Sequence, residues 1–420
     1  MHTEMLSAGL IGVVLSGSVL GAAVENPQVH HPGGVAETVP SFETDVDAGV
    51  AARAATRSIA REAQAQAGAF LRATQDESGG WAINAEGPDF PAVTALAGTG
   101  LLLDPRIDAR DPAVRNAAAY VLSFVQADGT IHDGALPTYN TAICVSFLSM
   151  VDTPEAAAAV RGGILALKRM QWGAFDPSSD PSPEAPEWTE PIDEGHPYFG
   201  GLGYGTHGRP DASNTQMFVQ AMHDAGVSTD DPAYARALVF LRRVQMDDRV
   251  NEMAYAEGSR QGGFIYATVP NAESLDSVPG QSQAGEIEEE LTDGSVRTRL
   301  RAYGSMTYAG FKSLLYADLP PDDQRVLSAL GWIEDHFTVD ENLGMGQQGR
   351  YYGLSAMARA LDAWGGEAVA GRDWRDAVVR AVAGLQEPDG GMRVVHERWM
   401  EGDRDLITAY ALIALGEAAR

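Results

Sequence analysis

The sequence predicts an all-α protein, an (α/α)6 toroid of six outer–inner helix hairpins. Three observations predict it: a helix–turn–helix unit that recurs along the chain, a hydroxyl residue in register in each second helix, and almost no strand patterning. The clearest unit is the first. An amphipathic helix ends Phe70-Leu71-Arg72-Ala73-Thr74-Gln75, a turn follows at Gly79-Gly80-Trp81, and the second helix opens Pro91-Ala92-Val93-Thr94-Ala95-Leu96.

The second-helix hydroxyls are Thr94, Thr141, Thr215, Thr307, Ser355 and Thr408, each leading into a small, apolar run. A helix apolar around most of its circumference is buried. The first helices span about 51–74, 112–125, 154–171, 231–245, 321–337 and 373–386, mixing apolar residues at helical spacing with Arg, Asp and Glu. That pattern suits an outer ring with one wet face. Five of them end at or beside a glutamine, Gln75, Gln126, Gln171, Gln245 and Gln386; the fifth unit carries His336-Phe337-Thr338 instead. Two insertions, 176–197 and 268–300, the second with Glu286 and Glu288-Glu289-Glu290, read as surface loops or lids.

The organisation is a signal peptide or N-terminal anchor over 1–23, an acidic linker over 24–48 and the toroid over 49–420. Met5 to Val24 carry no charge and run into Leu20-Gly21-Ala22-Ala23, a small-residue cleavage pattern, although no Lys or Arg precedes them. The expectation is export to the periplasm or cell surface, with membrane association if the segment stays uncleaved. The 420 residues carry 30 Lys+Arg and 58 Asp+Glu, a net charge of −28 that repels phosphate backbones, so nucleic acid is excluded as a partner. Cys144, the one cysteine, lies in an apolar run and reads as a buried, inert thiol.

The Gln75…Gly79-Gly80-Trp81 turn, with weaker copies at Gln126-Ala127-Asp128-Gly129 and Gln386…Gly390-Gly391, resembles the repeat of squalene and oxidosqualene cyclases. The resemblance covers nearly all of 51–420. It is narrowest to exported prenyltransferase/squalene oxidase repeat proteins, within the terpene cyclase and protein prenyltransferase toroids. Asp211-Ala212-Ser213-Asn214-Thr215 resembles the segment where class II cyclases carry Asp-x-Asp-Asp-Thr. In that family the third-position carboxyl protonates an alkene or epoxide. Here it is Ser213, and an alcohol is far too weak an acid for that step. The Asp, Cys and His that hold zinc in prenyltransferases have no match around Cys144, so neither metal nor cofactor is expected.

The start of each inner helix is expected to ring one mouth of a central cavity, where free helix amides also point. The candidates there are Asp211 and Asp405 for catalysis. Tyr139, Asn140, Tyr204, Ser213, Asn214, Tyr303, Ser305, Tyr351, Tyr352, Trp399 and Thr408 are candidates for ligand binding. Asp211 and Asp405 read first as helix caps, a role that would keep Asp211 ionised with a lowered pKa. His196 and His207 flank a glycine-rich turn as candidate bases, and Asp247-Asp248 read as solvated or capping acids. The expected partner is an isoprenoid or other apolar small molecule. Two alternatives stay open: a secreted glycan-active hydrolase or lyase, and a non-catalytic interaction module. The sequence does not set the oligomeric state.

Overall fold

Twelve α-helices account for nearly all the regular structure of the described residues. The computed structural model describes residues 42–81, 89–173, 192–205, 209–268 and 280–420, with side chains from residue 50 on. The expected export segment, the linker up to 41, His207 and most of the 176–197 insertion lie outside them. The outer helices are α1 (Phe42–Thr74), α3 (Pro112–Leu122), α5 (Pro154–Met170), α7 (Pro232–Arg243), α9 (Gln324–His336) and α11 (Trp374–Ala383). The inner helices are α2 (Pro91–Leu102), α4 (Pro137–Leu148), α6 (Ala212–Asp224), α8 (Gly304–Tyr316), α10 (Arg350–Trp364) and α12 (Arg404–Ala418). Gly49–Arg420 forms one compact unit.

The outer helices begin where short polar side chains cap them. Asp111, Thr153, Asp231, Asp323 and Asp373 each accept a backbone N–H from the first turn of α3, α5, α7, α9 and α11. Proline at the first turn adds a pre-set φ in α3, α5 and α7. The inner helices α2, α8 and α10 lack a cap from their own N-cap residue and are capped from elsewhere. Asn140 Oδ1 accepts from Ala92 N at 3.1 Å, Asn342 Oδ1 from Ser305 N at 2.7 Å, and Glu401 Oε1 from Tyr352 N at 2.8 Å.

Packing follows the chain in a cycle. α2 packs on α4, α4 on α6, α6 on α8, α8 on α10, α10 on α12, and α12 back on α2. In α2 every residue from Pro91 to Leu101 is buried, and in α12 every residue from Leu406 to Ala418.

The register hydroxyls and glutamines explain the repeat physically. Thr94, Thr141, Thr215, Thr307 and Thr408 each accept, through Oγ1, the N–H of the residue after the turn: Trp81, Ile131, Leu202, Phe264 and Met392, at 2.9–3.1 Å. Ser355 makes no such bond and belongs to the one unit that also lacks the glutamine. Gln75, Gln171, Gln245 and Gln386 each use Nε2 to hold a turn glycine carbonyl and a carbonyl of another outer helix. For Gln386 that second carbonyl is Ala63 O in α1, so the last outer helix is tied to the first. Gln126 instead turns inward on its own loop, to Phe124 O and His132 O.

Two expectations are corrected. The acidic run is a strand rather than a loop: β1 (Glu286–Glu290) pairs antiparallel with β2 (Val296–Leu300). Glu289 anchors that hairpin by accepting from Ser259 Oγ, Arg260 N and Gln261 Nε2. A second pair, β3 (Ala368–Val369) and β4 (Arg372–Asp373), precedes α11. Asp247 is not solvated but fully buried, held by Arg249 and Ser328. Cys144 is buried, and desolvation pushes its thiol pKa well above the ordinary value.

Candidate functional site

The inner-helix starts bring tyrosines together around two buried carboxyls. Tyr139 on α4 meets Tyr410 on α12 with hydroxyls 3.4 Å apart, and its ring lies 6.2 Å from Tyr204. Tyr352 on α10 packs edge-on to Tyr410, centroids 5.8 Å apart. Its hydroxyl sits 3.4 Å from Ser213 Oγ and accepts from Gln216 Nε2 at 3.2 Å. Tyr204 and Tyr266 are hydrogen-bonded to each other, and Tyr266 donates to Asp211. Tyr303, fully buried at the N-cap of α8, faces the same group.

Asp211 is the N-cap of α6. Its carboxylate accepts from Asn214 N and Asn214 Nδ2, both at 2.8 Å. Capping alone would lower the pKa. At 1% exposure desolvation outweighs the hydrogen bonds from Asn214 and Tyr266, and the pKa is pushed up to about 6. The expected direction is therefore reversed.

The second carboxyl, Glu401, carries no sequence signal of its own. It is 1% exposed, and burial pushes its pKa up to about 7 against the pull of the α10 first-turn amides. Oε1 takes the Tyr352 amide, while Oε2 is buried with no hydrogen-bond partner. A carboxyl with one unpaired oxygen and a pKa near neutrality can hold a proton and release it. The backbone just before it is strained: Trp399 and Met400 have φ of 59° and 64°, which L-residues rarely adopt. The Trp399 ring lies against Gly349, where a Cβ would meet it at 2.8 Å.

Of the sequence candidates, Tyr139, Tyr204, Asp211, Ser213, Asn214, Tyr303 and Tyr352 converge. Asn140 and Ser305 serve helix starts, Asn140 as the cap of α2 and Ser305 as partner of Asn342. Tyr351 points its hydroxyl to Arg393 O at 2.6 Å, and Thr408 holds the Met392 amide. Trp399 is 42% exposed, with Arg398 stacked on it. Asp405 accepts from Thr74 Oγ1 of α1 at 2.6 Å and shares no partner with Asp211. The cap of α12 is Asp403, not Asp405. His196 stacks on Trp172 and accepts the Tyr198 amide at 3.1 Å. Among the described residues no three His, Cys, Asp or Glu side chains are grouped to hold a metal.

Beneath the tyrosines lies a narrow central cavity of about 30 Å³. All six inner helices line it, through residues such as Leu96, Ile143, Met217, Lys312, Ser355 and Ile413. Tyr352, Tyr410 and Gln216 belong both to its wall and to the tyrosine group.

No family model matches the chain, and no curated protein matches it. Among solved structures it is similar in scaffold to terpene cyclases. The type II terpene cyclase MstE from Scytonema, apo, is 14% identical with a TM-score of 0.47, over 86% of this chain and 98% of that one. A protein from Actinoplanes is 17% identical with a TM-score of 0.44, over 86% and 100%. A glycosidase is 11% identical with a TM-score of 0.45, over 86% and 97%.

Proposed function

We propose that the chain is an exported (α/α)6 toroid that binds a small amphipathic molecule of isoprenoid type in its central cavity. The observation that carries this is the cavity itself: one narrow space walled by all six inner helices, with apolar and polar residues interleaved, which admits a ligand when long, flexible wall side chains such as Met217, Gln216 and Lys312 swing aside. Leu96, Ile143, Met217, Ala356 and Ile413 suit a hydrocarbon body. Gln216 Oε1, buried in the wall without a hydrogen-bond partner, would stay unpaired against a pure hydrocarbon, which is costly. The ligand therefore carries at least one hydrogen-bonding group.

At the mouth, Glu401 is the proton donor and acceptor of this reading and Asp211 its companion. Carboxyls with pKa values near 6 and 7 are poised for proton exchange with oxygen or nitrogen atoms. They are far too weak for protonating an alkene. Asp405, on the α1 side of α12, is left as a second, separate candidate. A glycan chain fits less well, because Asp211 and Glu401 are each 1% exposed and a polymer needs an open approach.

The test is native mass spectrometry of protein taken from its own source, followed by thermal shifts with citronellol and farnesol. The expected result is a retained small amphiphile and stabilisation by the alcohols, both lost in Ile143→Trp, which fills the cavity. No retained molecule and no shift with either alcohol would sink the reading.

A further inference from the structure

The chain has only two lysines, Lys168 and Lys312, against 28 arginines (30 − 2). Arginine does the ordinary work of surface ion pairing here. Lys168 is also ordinary, since it bridges α5 to Asp231, the cap of α7. Lys312 is not. It sits on α8 with 2% exposure, in the wall of the central cavity, at the end away from the tyrosines.

Its surroundings form a built polar group inside an apolar ring. Lys312 Nζ donates to Gln220 Oε1 of α6 and lies 5.7 Å from the centre of the Tyr316 ring. Arg359 of α10 faces it and is itself paired with Glu417 of α12 at 3.7 Å. Asp224 closes the group from the end of α6, bonded by Gln220, His223 and Ser146. One polar atom in this wall, Gln216 Oε1, is buried without a hydrogen-bond partner, and its residue lines the cavity. An acceptor left open inside a cavity points to a ligand that completes it.

We propose that Lys312 is a carbonyl-capturing amine, forming an imine with an aldehyde or ketone carried by the ligand of the central cavity. This rests on the cavity-ligand reading above and names the reactive group of that ligand. Lysine is the one cationic side chain that readily becomes a neutral nucleophile when buried. Burial and the facing Arg359 lower its pKa to about 7, against the pull of Asp224 and Glu417. The free amine attacks the carbonyl carbon and the C=O π bond becomes a hydroxyl. The nitrogen then sheds its protons as the hydroxyl leaves in water, so amine plus carbonyl gives imine plus one water. No oxidant or further reactant is needed. An arginine or methionine at 312 would fill the same space without this chemistry.

The experiment uses the intact chain, citral as probe aldehyde and cyanoborohydride to reduce any imine. Peptide mapping then locates the adduct. The expected result is a single adduct on Lys312 at neutral pH, absent in Lys312→Arg and suppressed by prior citronellol, which has no carbonyl. The mapping in the natural sequence stands even if the variant folds poorly. Binding of citronellol with no Lys312 adduct overturns the imine and leaves the ligand reading intact. Adducts confined to Lys168 or the chain's amino terminus overturn it likewise, and no binding of either probe overturns both readings.

Discussion

Glu401 Oε1 accepts the backbone N–H of Tyr352 at 2.8 Å, so the carboxyl at the start of α10 comes from a residue three positions before α12. This contact sets a pH dependence whose sign follows from the direction of the shift. Burial raises the Glu401 pKa from 4.5 to about 7, and that of Asp211 from 3.8 to about 6. Between the ordinary and raised values the folded chain holds protons that the unfolded chain has released. Stability therefore falls as pH rises through roughly 4 to 7. Glu401→Gln keeps the amide contact and removes the proton. Its urea midpoint should decline less steeply between about pH 6 and pH 7 than that of the natural sequence, the remaining slope coming from Asp211. Identical slopes would contradict the assignment.

Gly200 has φ of 85°, and an added Cβ would overlap the Arg236 carbonyl oxygen of α7. Gly226 has φ of 68° with nothing within 4 Å. Gly226→Ala adds only backbone strain and should cost about 1 kcal/mol. Gly200→Ala adds a clash with a helix backbone and should cost about 3 kcal/mol or more. Denaturant melts of the two variants decide it, and equal costs would show that the packing of this turn on α7 is unimportant.

Gln386→Ala removes the Nε2 group that donates to Ala63 O of α1 and to Gly390 O of the turn after α11, leaving both carbonyls without it. A loss of about 2 kcal/mol is expected. Hydrogen exchange is the sharper readout, because a seam between distant segments should loosen on both sides. Amides of α1 and α11 should lose protection together. Loosening of α11 alone would mean that the contact does not join the two.

The natural sequence should not cyclise squalene. Ser213 holds the third position of the acid segment, and its hydroxyl is engaged with Tyr352. Gas chromatography after incubation in detergent should show no hopene-type product. Ser213→Asp with Asn214→Asp restores the acid pattern. It also removes the Nδ2 donor to Asp211 and sets a carboxylate against it, which raises the acid pKa values further. Turnover by the natural sequence that is lost in Asp211→Asn would overturn the argument.

Export rests on residues 5–24 alone. N-terminal sequencing of natively expressed protein should give a start near Ala23 or a membrane-bound full chain. An uncleaved, soluble, cytosolic protein would refute it. Among the described residues no helix is long and apolar enough to cross a membrane.

The helices were legible because most repeats share a punctuation drawn from a capping side chain, a proline, a glutamine, a positive-φ glycine and a threonine. Those devices are local and recur at fixed spacing. The β1–β2 hairpin was hidden because four of the five residues in β1 are glutamates, and it is held by Ser259, Arg260 and Gln261 from far upstream. Glu401, Tyr266 and Tyr410 were missed for a related reason. Their roles arise from which loop or helix face meets the start of a different helix. Asp211 was found, but its charge state was misjudged, since a cap motif shows the hydrogen bonds and not the depth of burial.

The cyclic packing carries a consequence for the order of events during synthesis. Each inner helix from α4 to α10 can settle on the helix made just before it, so most of the chain can assemble as it emerges. The α2 face cannot be covered until α12 exists, because α12 packs on both α10 and α2. Any shorter nascent length exposes two apolar flanks at opposite ends of an open arc. The ring of inner helices thus stays open until the fifteen-residue α12 arrives, and only then closes.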